Sequence, residues 1–471
     1  MVLPVPLNVH DDFERFFASF EPAGQRRQTS LPVPNPTKSF WLDSSPDANP
    51  LAAEGSTGAL TADPDIVIIG SGITGVAAAY NLAKGLQGQR VKIVLLDARD
   101  FCSGATGRNG GHLTSHGFFN FSSNVTPRRG LVESALEQHT IDSVAEVVGV
   151  QGWAKEIDLV DSGRLCLFFS SEEEADARRR FDSARAAGVD TSGVQWLSRS
   201  EMNKTHGVDF PAVRIPGRNV WPLKLVTKLF TLAKSSFSAD IKLHTRTPVT
   251  SITRAGSGWD LRTPRGTLRA TYVLHATNGY AAHLLPHLTG PQGIIPVRGH
   301  IIATRASGPL SGKESYIGND GFEYWFPRPT SSSRDAPLVI LGGGREVAPN
   351  YDIYVTDDAH FDAKVGGVLR KFLPSVCPRS FERARQPEME WTGIMGFTKT
   401  GEPFVGPVID QRGSKSEFTG QYICAGYTGH GMTRAYACAE AVAQIIIADM
   451  RKQQWKCPAW LPSEYLTWNK A

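Results

Sequence analysis

Cysteine, long apolar runs and net charge are all scarce in this sequence, and each shortage excludes a class of protein. The 471 residues include six cysteines with no Cys-x-x-Cys pair, which argues against a zinc site or a redox dithiol and fits a reducing compartment. No stretch of about 18 uncharged apolar residues is present to span a membrane. The first residues do not resemble a signal peptide, and the last are not the Ser-Lys-Leu type of peroxisomal address. We therefore predict a cytoplasmic protein with no bound metal.

The net charge is only +4, from 50 basic and 46 acidic residues. So small a charge creates no strong field, and we expect neither nucleic acid nor a membrane as a partner. A composition of 41% hydrophobic and 20% charged residues is typical of a soluble globular protein. A chain of 471 residues favours two packed domains over a single core. The sequence leaves the oligomeric state open.

Residues 1–62 differ from the rest because prolines recur through them, which predicts an extended arm. Within this arm, "DDFERFFASF" places Phe13, Phe16, Phe17 and Phe20 at helical spacing. We expect this aromatic face to dock on the protein's own body rather than on a membrane or a partner. The stretch "KSFWLD" around Trp41 is assigned to the same arm.

From Asp65 the sequence follows the order strand, turn, helix, strand, in "DIVIIG", "ITGVAAAYNLAKGL" and "VKIVLLDA". Continuous aliphatic runs, rather than alternation, are typical of parallel strands that are covered on both faces. Residues 128–200 read as helices, residues 221–285 as a second α/β stretch, and residues 294–392 as an antiparallel sheet. The predicted fold is an α/β domain with a parallel sheet, joined to an α+β domain with a large antiparallel sheet.

A glycine-rich turn joins the first strand to its helix. Gly70, Gly72 and Gly75 form G-x-G-x-x-G, whose glycines permit a tight turn, close approach of a pyrophosphate, and close packing of helix on strand. The free N–H groups at the helix start favour phosphate. Asp97 ends the next strand, where a carboxylate accepts hydrogen bonds from ribose hydroxyls. This pattern predicts dinucleotide binding and leaves FAD and NAD open.

The loop "CSGATGRNGGHL", from Cys102 to Leu113, favours FAD. Its small residues, with the hydroxyls of Ser103 and Thr106, would let main-chain amides reach a pyrophosphate and a flat ring. A dehydrogenase that uses NAD alone has no evident need for such a loop, so that alternative is the least favoured.

Three stretches, "VIIGSGITG", "GATGRNGGHL" and "GYTGHGMT", together resemble the D-amino-acid oxidase, glycine oxidase and sarcosine oxidase superfamily of FAD-dependent oxidoreductases. The resemblance covers residues 38–452 and looks strongest to the branch of γ-glutamylputrescine oxidase and its fungal relatives. It implies a Rossmann-like FAD-binding domain made of residues 63–115, 218–290 and 393–452. The substrate domain would comprise residues 116–217 and 291–392, and residues 453–471 would form a C-terminal tail.

The resemblance also implies a set of residues around the pyrophosphate, ribose, ribityl chain and ring of FAD. In chain order they are Gly70, Gly72, Ile73, Thr74, Gly75, Asp97, Ala98, Arg99, Ser103, Gly104, Ala105, Thr106, Arg108, Asn109, Gly110, Gly111, His112, Leu113, Val249, Gly429, His430, Gly431, Met432 and Thr433. The helix that begins near His430 would direct its positive dipole end at the reduced flavin.

The resemblance implies a reaction that removes a hydride from a carbon that bears an amine and yields an imine, with O₂ as the acceptor and hydrogen peroxide as its product. We therefore expect a small-molecule amine or imine substrate and an enzyme that oxidises C–NH₂ or C–NH groups. Because the amine must be neutral to release hydride, the pocket should disfavour its ammonium form. The candidate catalytic residues are His430, Arg298, Tyr324 and His112, and His116 and Trp325 are further candidates for the substrate face.

Two departures from the family pattern affect the substrate and the cofactor linkage. Sarcosine-oxidase-like members carry a lysine for the substrate carboxylate where this chain has Thr433, which favours a larger amine over a small α-amino acid. The stretch "WTGIMGFTKTGEPFVG" lacks the cysteine that tethers flavin in some relatives, so non-covalent FAD is expected. We interpret "LGGGREV" as a sheet-end turn that lines the pocket.

Two other functions stay open at this point. One is a biosynthetic flavoenzyme that performs dehydrogenation or oxidative cyclisation on a bulky nitrogenous substrate. The other is a non-catalytic protein in which FAD is structural.

Overall fold

A computed structural model describes residues 3–7, 16, 29–122, 125–410 and 412–470. The α-helices in this part of the chain are α1 (Phe40–Asp43), α2 (Ile73–Gly85), α3 (Pro127–Gln151), α4 (Ser171–Ala186), α5 (Arg199–His206), α6 (Pro222–Ser236), α7 (Ala281–Leu284), α8 (Ala363–Val376) and α9 (Gly431–Met450). Short 3₁₀ turns lie at Ala105–Arg108, Gly117–Asn120, Asn278–Tyr280, Pro286–Leu288, Asn319–Gly321, Arg345–Val347, Pro349–Asp352, Ser416–Phe418, Ser463–Tyr465 and Thr467–Asn469.

The strands are β1 (Ile66–Ile69), β2 (Lys92–Leu96), β3 (His112–Leu113), β4 (Val160–Asp161), β5 (Arg164–Leu167), β6 (Gln195–Leu197), β7 (Ala212–Ile215), β8 (Arg218–Asn219), β9 (Asp240–His244), β10 (Ser251–Ala255), β11 (Gly258–Thr263), β12 (Gly266–Ala270), β13 (Tyr272–His275), β14 (Ile295–Arg305), β15 (Ser315–Gly318), β16 (Glu323–Pro327), β17 (Leu338–Gly342), β18 (Met389–Phe397), β19 (Phe404–Pro407) and β20 (Gln421–Ala425). They form two large sheets, the antiparallel sheet β10–β11–β12 and the small sheet β3–β8–β4.

Strand β1 lies inside a six-stranded sheet of order β19–β20–β13–β1–β2–β9. The neighbouring strands run parallel, except that β19 at the edge is antiparallel to β20. Ile66 and Ile68 pack with helices α2, α6 and α9, whereas Val67 and Ile69 pack with the β10–β12 sheet on the other face. Both faces of β1 are therefore buried, which explains its unbroken aliphatic run and confirms the predicted parallel sheet.

The second large sheet has eight strands in the order β18–β14–β17–β16–β15–β5–β7–β6. Its neighbours are antiparallel, as predicted, except that β15 and β5 run parallel. The sheet is therefore mixed, with one parallel pair in the large antiparallel sheet that was predicted. A parallel pair needs a long connection, and here β5 and β15 are separated by well over a hundred residues of chain. Helix α8 packs on this sheet through Leu369, Phe372 and Leu373.

Strands β4, β5 and β6 interrupt the segment 128–200, which was predicted to be helical. Helices α3 and α4, and the start of α5, are present there as expected. Strand β5 is only four residues long and fully buried. A short apolar run of this kind cannot be told from a helix segment by its periodicity.

The N-terminal segment packs on the body where the structure describes it. Phe16 is buried against Phe397, with ring centroids 5.5 Å apart, while Phe13, Phe17 and Phe20 lie outside the described residues. Trp41 lies in the short helix α1 rather than in extended chain. Ser39 caps this helix, because its hydroxyl accepts a hydrogen bond from the Trp41 main-chain N–H. Its ring is fully buried, and its indole N–H donates to the Asn109 carbonyl at 2.6 Å.

Among the described residues, no helix combines the length and the apolarity needed to cross a bilayer. The same residues contain no group of three or more His, Cys, Asp and Glu side chains arranged to hold a metal ion.

Candidate active site

A cavity of about 540 Å³ lies between the carboxyl ends of the parallel strands and the eight-stranded sheet. One wall is formed by the segments that follow β1, β2, β13 and β20. The other wall comes from β5, β14, β16 and β18 and from the turn after β17. In open α/β sheets, ligands bind in the crevice at the carboxyl ends of the strands.

The turn after β1 requires glycine. Gly70 has φ +113°, and a Cβ there would lie 2.5 Å from the carbonyl oxygen of Ala276. The start of α2 is tied to the second glycine-rich loop, because the Ile73 N–H donates to the Thr106 hydroxyl at 3.1 Å. The turn and the loop therefore form one continuous wall. The Ile73 N–H is already satisfied by the Thr106 hydroxyl, so this N–H at the helix start is not free to bind a phosphate.

The Asp97 carboxylate holds this turn from within. One oxygen accepts from the Ser71 N–H at 2.9 Å and from the Ser71 hydroxyl at 2.5 Å, and the other accepts from the Arg99 N–H at 3.0 Å. Burial raises the pKa of Asp97 above its ordinary value, although these hydrogen bonds oppose the shift. Asp97 lines the cavity, so the remaining lone pairs of its Oδ1 are available to a ligand hydroxyl.

All but three of the predicted cofactor-binding residues line the cavity. The exceptions support the wall from behind. A Cβ on Gly75 would lie 1.9 Å from the Gly70 carbonyl oxygen, the Ser103 carbonyl accepts from the side chains of Arg99 and Arg108, and Leu113 is buried in the helical core. These three residues therefore shape the loop from behind the cavity wall, and the Ser103 hydroxyl is buried without a hydrogen-bond partner in the described residues.

Two arginines of the predicted cofactor set are held by a residue that the sequence did not suggest. The Asp358 carboxylate lies 2.8 Å from Arg99 and 3.6 Å from Arg108, and it is fully buried. Burial lowers the pKa of Arg108 to about 10. The charges of both guanidiniums are thus balanced by the scaffold, and no local motif marks Asp358.

Three of the four candidate catalytic residues meet in the cavity: His430 and His112 from the wall of the parallel sheet, and Tyr324 from β16. Burial lowers the pKa of both histidines well below the ordinary value, and nearby cations add to the effect. Both imidazoles are therefore neutral near pH 7. The ring of His116 also lines the cavity and lies 4.3 Å from the ring of His430.

The Tyr324 ring crosses the glycine-rich loop. A Cβ on Gly110 would lie 2.4 Å from a ring carbon of Tyr324, so only glycine allows this approach. The His112 ring packs edge-on against Tyr324 at 5.5 Å. This packing brings the loop of the first wall into direct contact with a strand of the second.

Arg298 and Trp325 do not line the cavity, which corrects two predictions. The Arg298 guanidinium donates to the Asp352 carboxylate at 2.8 Å and so serves the scaffold. Trp325 points to the opposite face of the sheet, where it stacks on Tyr316 with ring centroids 5.1 Å apart. Alternation along β16 explains the second result, because neighbours such as Tyr324 and Trp325 face opposite sides.

Glu137 of α3 organises the histidine side of the site from a fully buried position. Its carboxylate accepts from the His116 N–H at 2.9 Å and pairs with Arg434 of α9 at 3.1 Å. Burial alone would raise the pKa of Glu137, but His116 and Arg434 hold it well below the ordinary value. Arg434 therefore faces Glu137, while its neighbour Thr433 lines the cavity.

Residues 65–445 match the family model described as "DAO: FAD dependent oxidoreductase", a match over most of the chain. The chain belongs to the DAO family of FAD-dependent oxidoreductases. FAD is therefore the cofactor of this flavoenzyme, and the preference for FAD over NAD is confirmed.

This DAO-family chain is similar to several named proteins. The glycine oxidase of Geobacillus kaustophilus is 26% identical over 389 residues, which cover 81% of this chain and 92% of that protein. The probable oxidoreductase OrdL of Rhizobium meliloti is 26% identical over 416 residues, covering 84% and 87% of the two chains.

Solved structures have the same fold. The crystal structure of glycine oxidase from Geobacillus kaustophilus matches with a TM-score of 0.65 and 23% identity, over 86% of this chain and 99% of that chain. Iminodiacetate oxidase from Chelativorans sp. BNC1 also gives a TM-score of 0.65, with 19% identity over 84% and 98% of the two chains.

The wall formed by the segments after β1, β2, β13 and β20 has features in this structure that suit bound FAD. Both ring nitrogens of His112 and the hydroxyl of Thr277 are buried without a hydrogen-bond partner in the described residues, and both side chains line the cavity. A Cβ on Gly104 would meet no atom within 4 Å, so main chain is bared toward the cavity. A buried polar group without a hydrogen-bond partner costs free energy. An elongated polar ligand in the cavity would supply partners for these groups.

Proposed function

We propose that this flavoenzyme oxidises a C–N bond of an amine to an imine and uses O₂ as the electron acceptor. The observation that carries the proposal is a single cavity in which the dinucleotide turn and two neutral histidines face Tyr324 of the large sheet. Bound FAD would supply the hydride acceptor. Two of the similar proteins, glycine oxidase and iminodiacetate oxidase, are named for substrates that contain an amine.

The side chains around the cavity favour the neutral amine that hydride release requires. Arg164 and Arg345 line it as cations, and burial also penalises an ammonium group. His430 and His112 are neutral and so can accept a hydrogen bond from the substrate nitrogen. Tyr324, which packs on the loop from the other wall, would confine the reacting carbon between the two walls.

Anaerobic addition of a panel of amines to the purified yellow protein should bleach the visible band of oxidised flavin, and readmitted air should restore it with release of hydrogen peroxide. Flavin spectra and a peroxide assay measure both steps. Bleaching only by a bulky pathway intermediate, with no turnover of simple amines, would favour the biosynthetic flavoenzyme. If no amine bleaches the band and dithionite-reduced flavin reoxidises slowly, the non-catalytic alternative gains.

We also propose that the FAD is bound without a covalent bond. Among the described residues that line the cavity, Cys166 is the cysteine, and burial raises its pKa to about 12, so its thiol is a poor nucleophile. Acid precipitation should therefore leave the yellow colour in the supernatant. A yellow pellet would contradict this, and His112 would then be the first residue to test as a tether.

The domain division and the γ-glutamylputrescine oxidase-like branch also stay proposals. Supporting the division, the strands of the six-stranded sheet fall within residues 63–115, 218–290 and 393–452. Strands β5–β7 and β14–β17 of the eight-stranded sheet fall within residues 116–217 and 291–392, whereas β18 crosses the proposed boundary at residue 393.

A further inference from the structure

Two residues of the N-terminal segment, the Leu31–Pro32 pair, line the cavity. They belong to residues 29–36, which form neither helix nor strand and carry prolines at positions 32, 34 and 36. Because proline fixes φ, such a stretch of chain is stiff. The stretch precedes residue 65, where the family match begins, so the match assigns no role to it.

Hydrogen bonds hold the chain on either side of the pair. Before the pair, the Thr29 carbonyl accepts from Nδ1 of His283, in α7, at 3.3 Å. After the pair, the Val33 carbonyl accepts from the Arg99 guanidinium at 3.4 Å. Four residues of chain span at most about 14 Å. The pair therefore bridges a gap of no more than that width between α7 and the segment after β2.

The segment after β2 is the part of the wall where the adenosine half of FAD is expected. In dinucleotide-binding folds the pyrophosphate lies at the turn after the first strand, and an acid at the end of the second strand binds the ribose. Asp97 has that position and lines the cavity. The adenine is bonded to this ribose, so it must lie close to Asp97. The chain of the Leu31–Pro32 pair is anchored two residues further on, at Arg99.

Apolar side chains surround this end of the cavity. Val249 and Leu284 line it and pack in one hydrophobic cluster with Leu96, the residue before Asp97. Leu31 is only partly buried, and it packs in none of the hydrophobic clusters that the described residues form. Its apolar surface is therefore open to the cavity, and covering it with a flat apolar ligand would be favourable.

We propose that the Leu31–Pro32 pair binds the adenosine half of FAD and closes the cofactor site over it. The adenine would lie between the pair and the apolar surface of Val249 and Leu284, with Asp97 available to the ribose. Ligand sites of this kind combine apolar walls with a few polar groups that fix orientation. The N-terminal segment is then part of the cofactor site, and a stretch outside the family match sets how firmly FAD is held.

Dilution of the FAD-loaded enzyme, with the released flavin followed by its fluorescence, measures the Kd of FAD. Leu31→Ser should raise this Kd by about 10-fold and Pro32→Ser by about 3-fold, because apolar surface is withdrawn from the adenine. Leu31→Met, which keeps the apolar surface, should stay within about 2-fold of the parent. The visible spectrum of the bound flavin should not change in any of these variants, because the ring lies at the other end of the cofactor.

Val33→Ser and Pro34→Ser are the matched controls. They make the same kinds of change in the same stretch, at positions that are not among the described residues lining the cavity. Each should change the Kd of FAD by less than about 2-fold.

The proposal is overturned if neither serine variant of the pair raises the Kd of FAD above that of its control. A raised Kd with a shifted flavin spectrum would also overturn it, because the substitution would then act on the flavin end of the site. If Leu31→Ser does not fold, Leu31→Ala replaces it and should raise the Kd by about 5-fold. No substrate enters these measurements, so their outcome is independent of the proposed amine oxidation.

Discussion

Replacing Gly70 with alanine should give a protein that no longer retains FAD and that unfolds at a lower urea concentration. The residue has φ +113°, which strains any side chain, and the new Cβ would lie 2.5 Å from the main-chain oxygen of Ala276. Because main chain cannot rotate away as a side chain can, the turn itself must move, and the start of α2 moves with it. Strain and overpacking together should cost about 3 kcal/mol. The flavin-to-protein absorbance ratio and urea unfolding of the flavin-free protein measure the two effects.

Gly88→Ala is the matched control for that substitution. Gly88 also has a left-handed conformation, with φ +84°, but a Cβ there meets no atom within 4 Å, and the residue does not line the cavity. It should cost about 1 kcal/mol and leave the protein yellow. A Gly70→Ala protein that keeps stoichiometric FAD and the stability of the Gly88→Ala protein would show that the first turn does not depend on this glycine.

Replacing Glu137 with glutamine should destabilise the protein by about 3 kcal/mol, because the buried Arg434 then keeps only the more distant carboxylate of Glu133, at 4.0 Å, as an ion-pair partner among the described residues. Glutamine keeps one acceptor oxygen where the carboxylate has two, so it can replace the oxygen that faces the His116 main-chain N–H or the one that faces Arg434, but not both. The position of His116 beside His430 should therefore become less well fixed. Urea unfolding at neutral pH measures the first effect. The double variant Glu137→Gln with Arg434→Gln should lose less stability than the sum of the two single variants.

The effect of Glu137 should depend on pH in a defined direction. Its pKa is held well below the ordinary 4.5 in the folded protein, so the unfolded chain binds the proton more readily. The stability it contributes is fully present above pH 4.5 and is lost as pH falls through the lower, folded pKa. The gap in unfolding free energy between the parent and Glu137→Gln should therefore narrow only at acidic pH.

Glu174→Gln provides the comparison for that series. Glu174 pairs with Arg178 at 2.7 Å on the surface of α4, where water screens both charges. Its loss should change stability by less than about 0.5 kcal/mol at any of these pH values. A Glu137→Gln protein that behaved like Glu174→Gln would mean that the buried network does not hold the charge inferred from its contacts.

The parts of the fold that could be predicted are those set by neighbouring residues. The glycine turn, strand β1 and helix α2 follow one another directly, and their sequence carries both the aliphatic run and the spacing of the glycines. Strand β5 was missed because its four residues acquire their structure from pairing with β7 and β15, far away in the chain. Local periodicity contains no information about that pairing.

The same distinction divides the site. The wall that carries the cofactor motifs was predicted because its residues occur in compact motifs. Asp358 lies 259 residues from Arg99, and Arg434 lies 297 residues from Glu137, so neither partnership leaves a local signal. Arg298 was predicted as a site residue because its sequence neighbours place it on a strand of the substrate domain. Those neighbours do not reveal that Asp352, 54 residues away, pairs with its guanidinium.

The segment before β1 fastens the cofactor loop. The Ser39 hydroxyl donates to the Gly107 carbonyl at 2.6 Å, and the Trp41 indole donates to that of Asn109, also at 2.6 Å. The acceptors lie 68 residues further along the chain, so these two hydrogen bonds join the segment before β1 to the loop that follows β2. Proteolytic cleavage between Trp41 and β1 would therefore release these two hydrogen bonds from the cofactor loop. Loss of flavin from the protein would then report that the N-terminal segment had been cut.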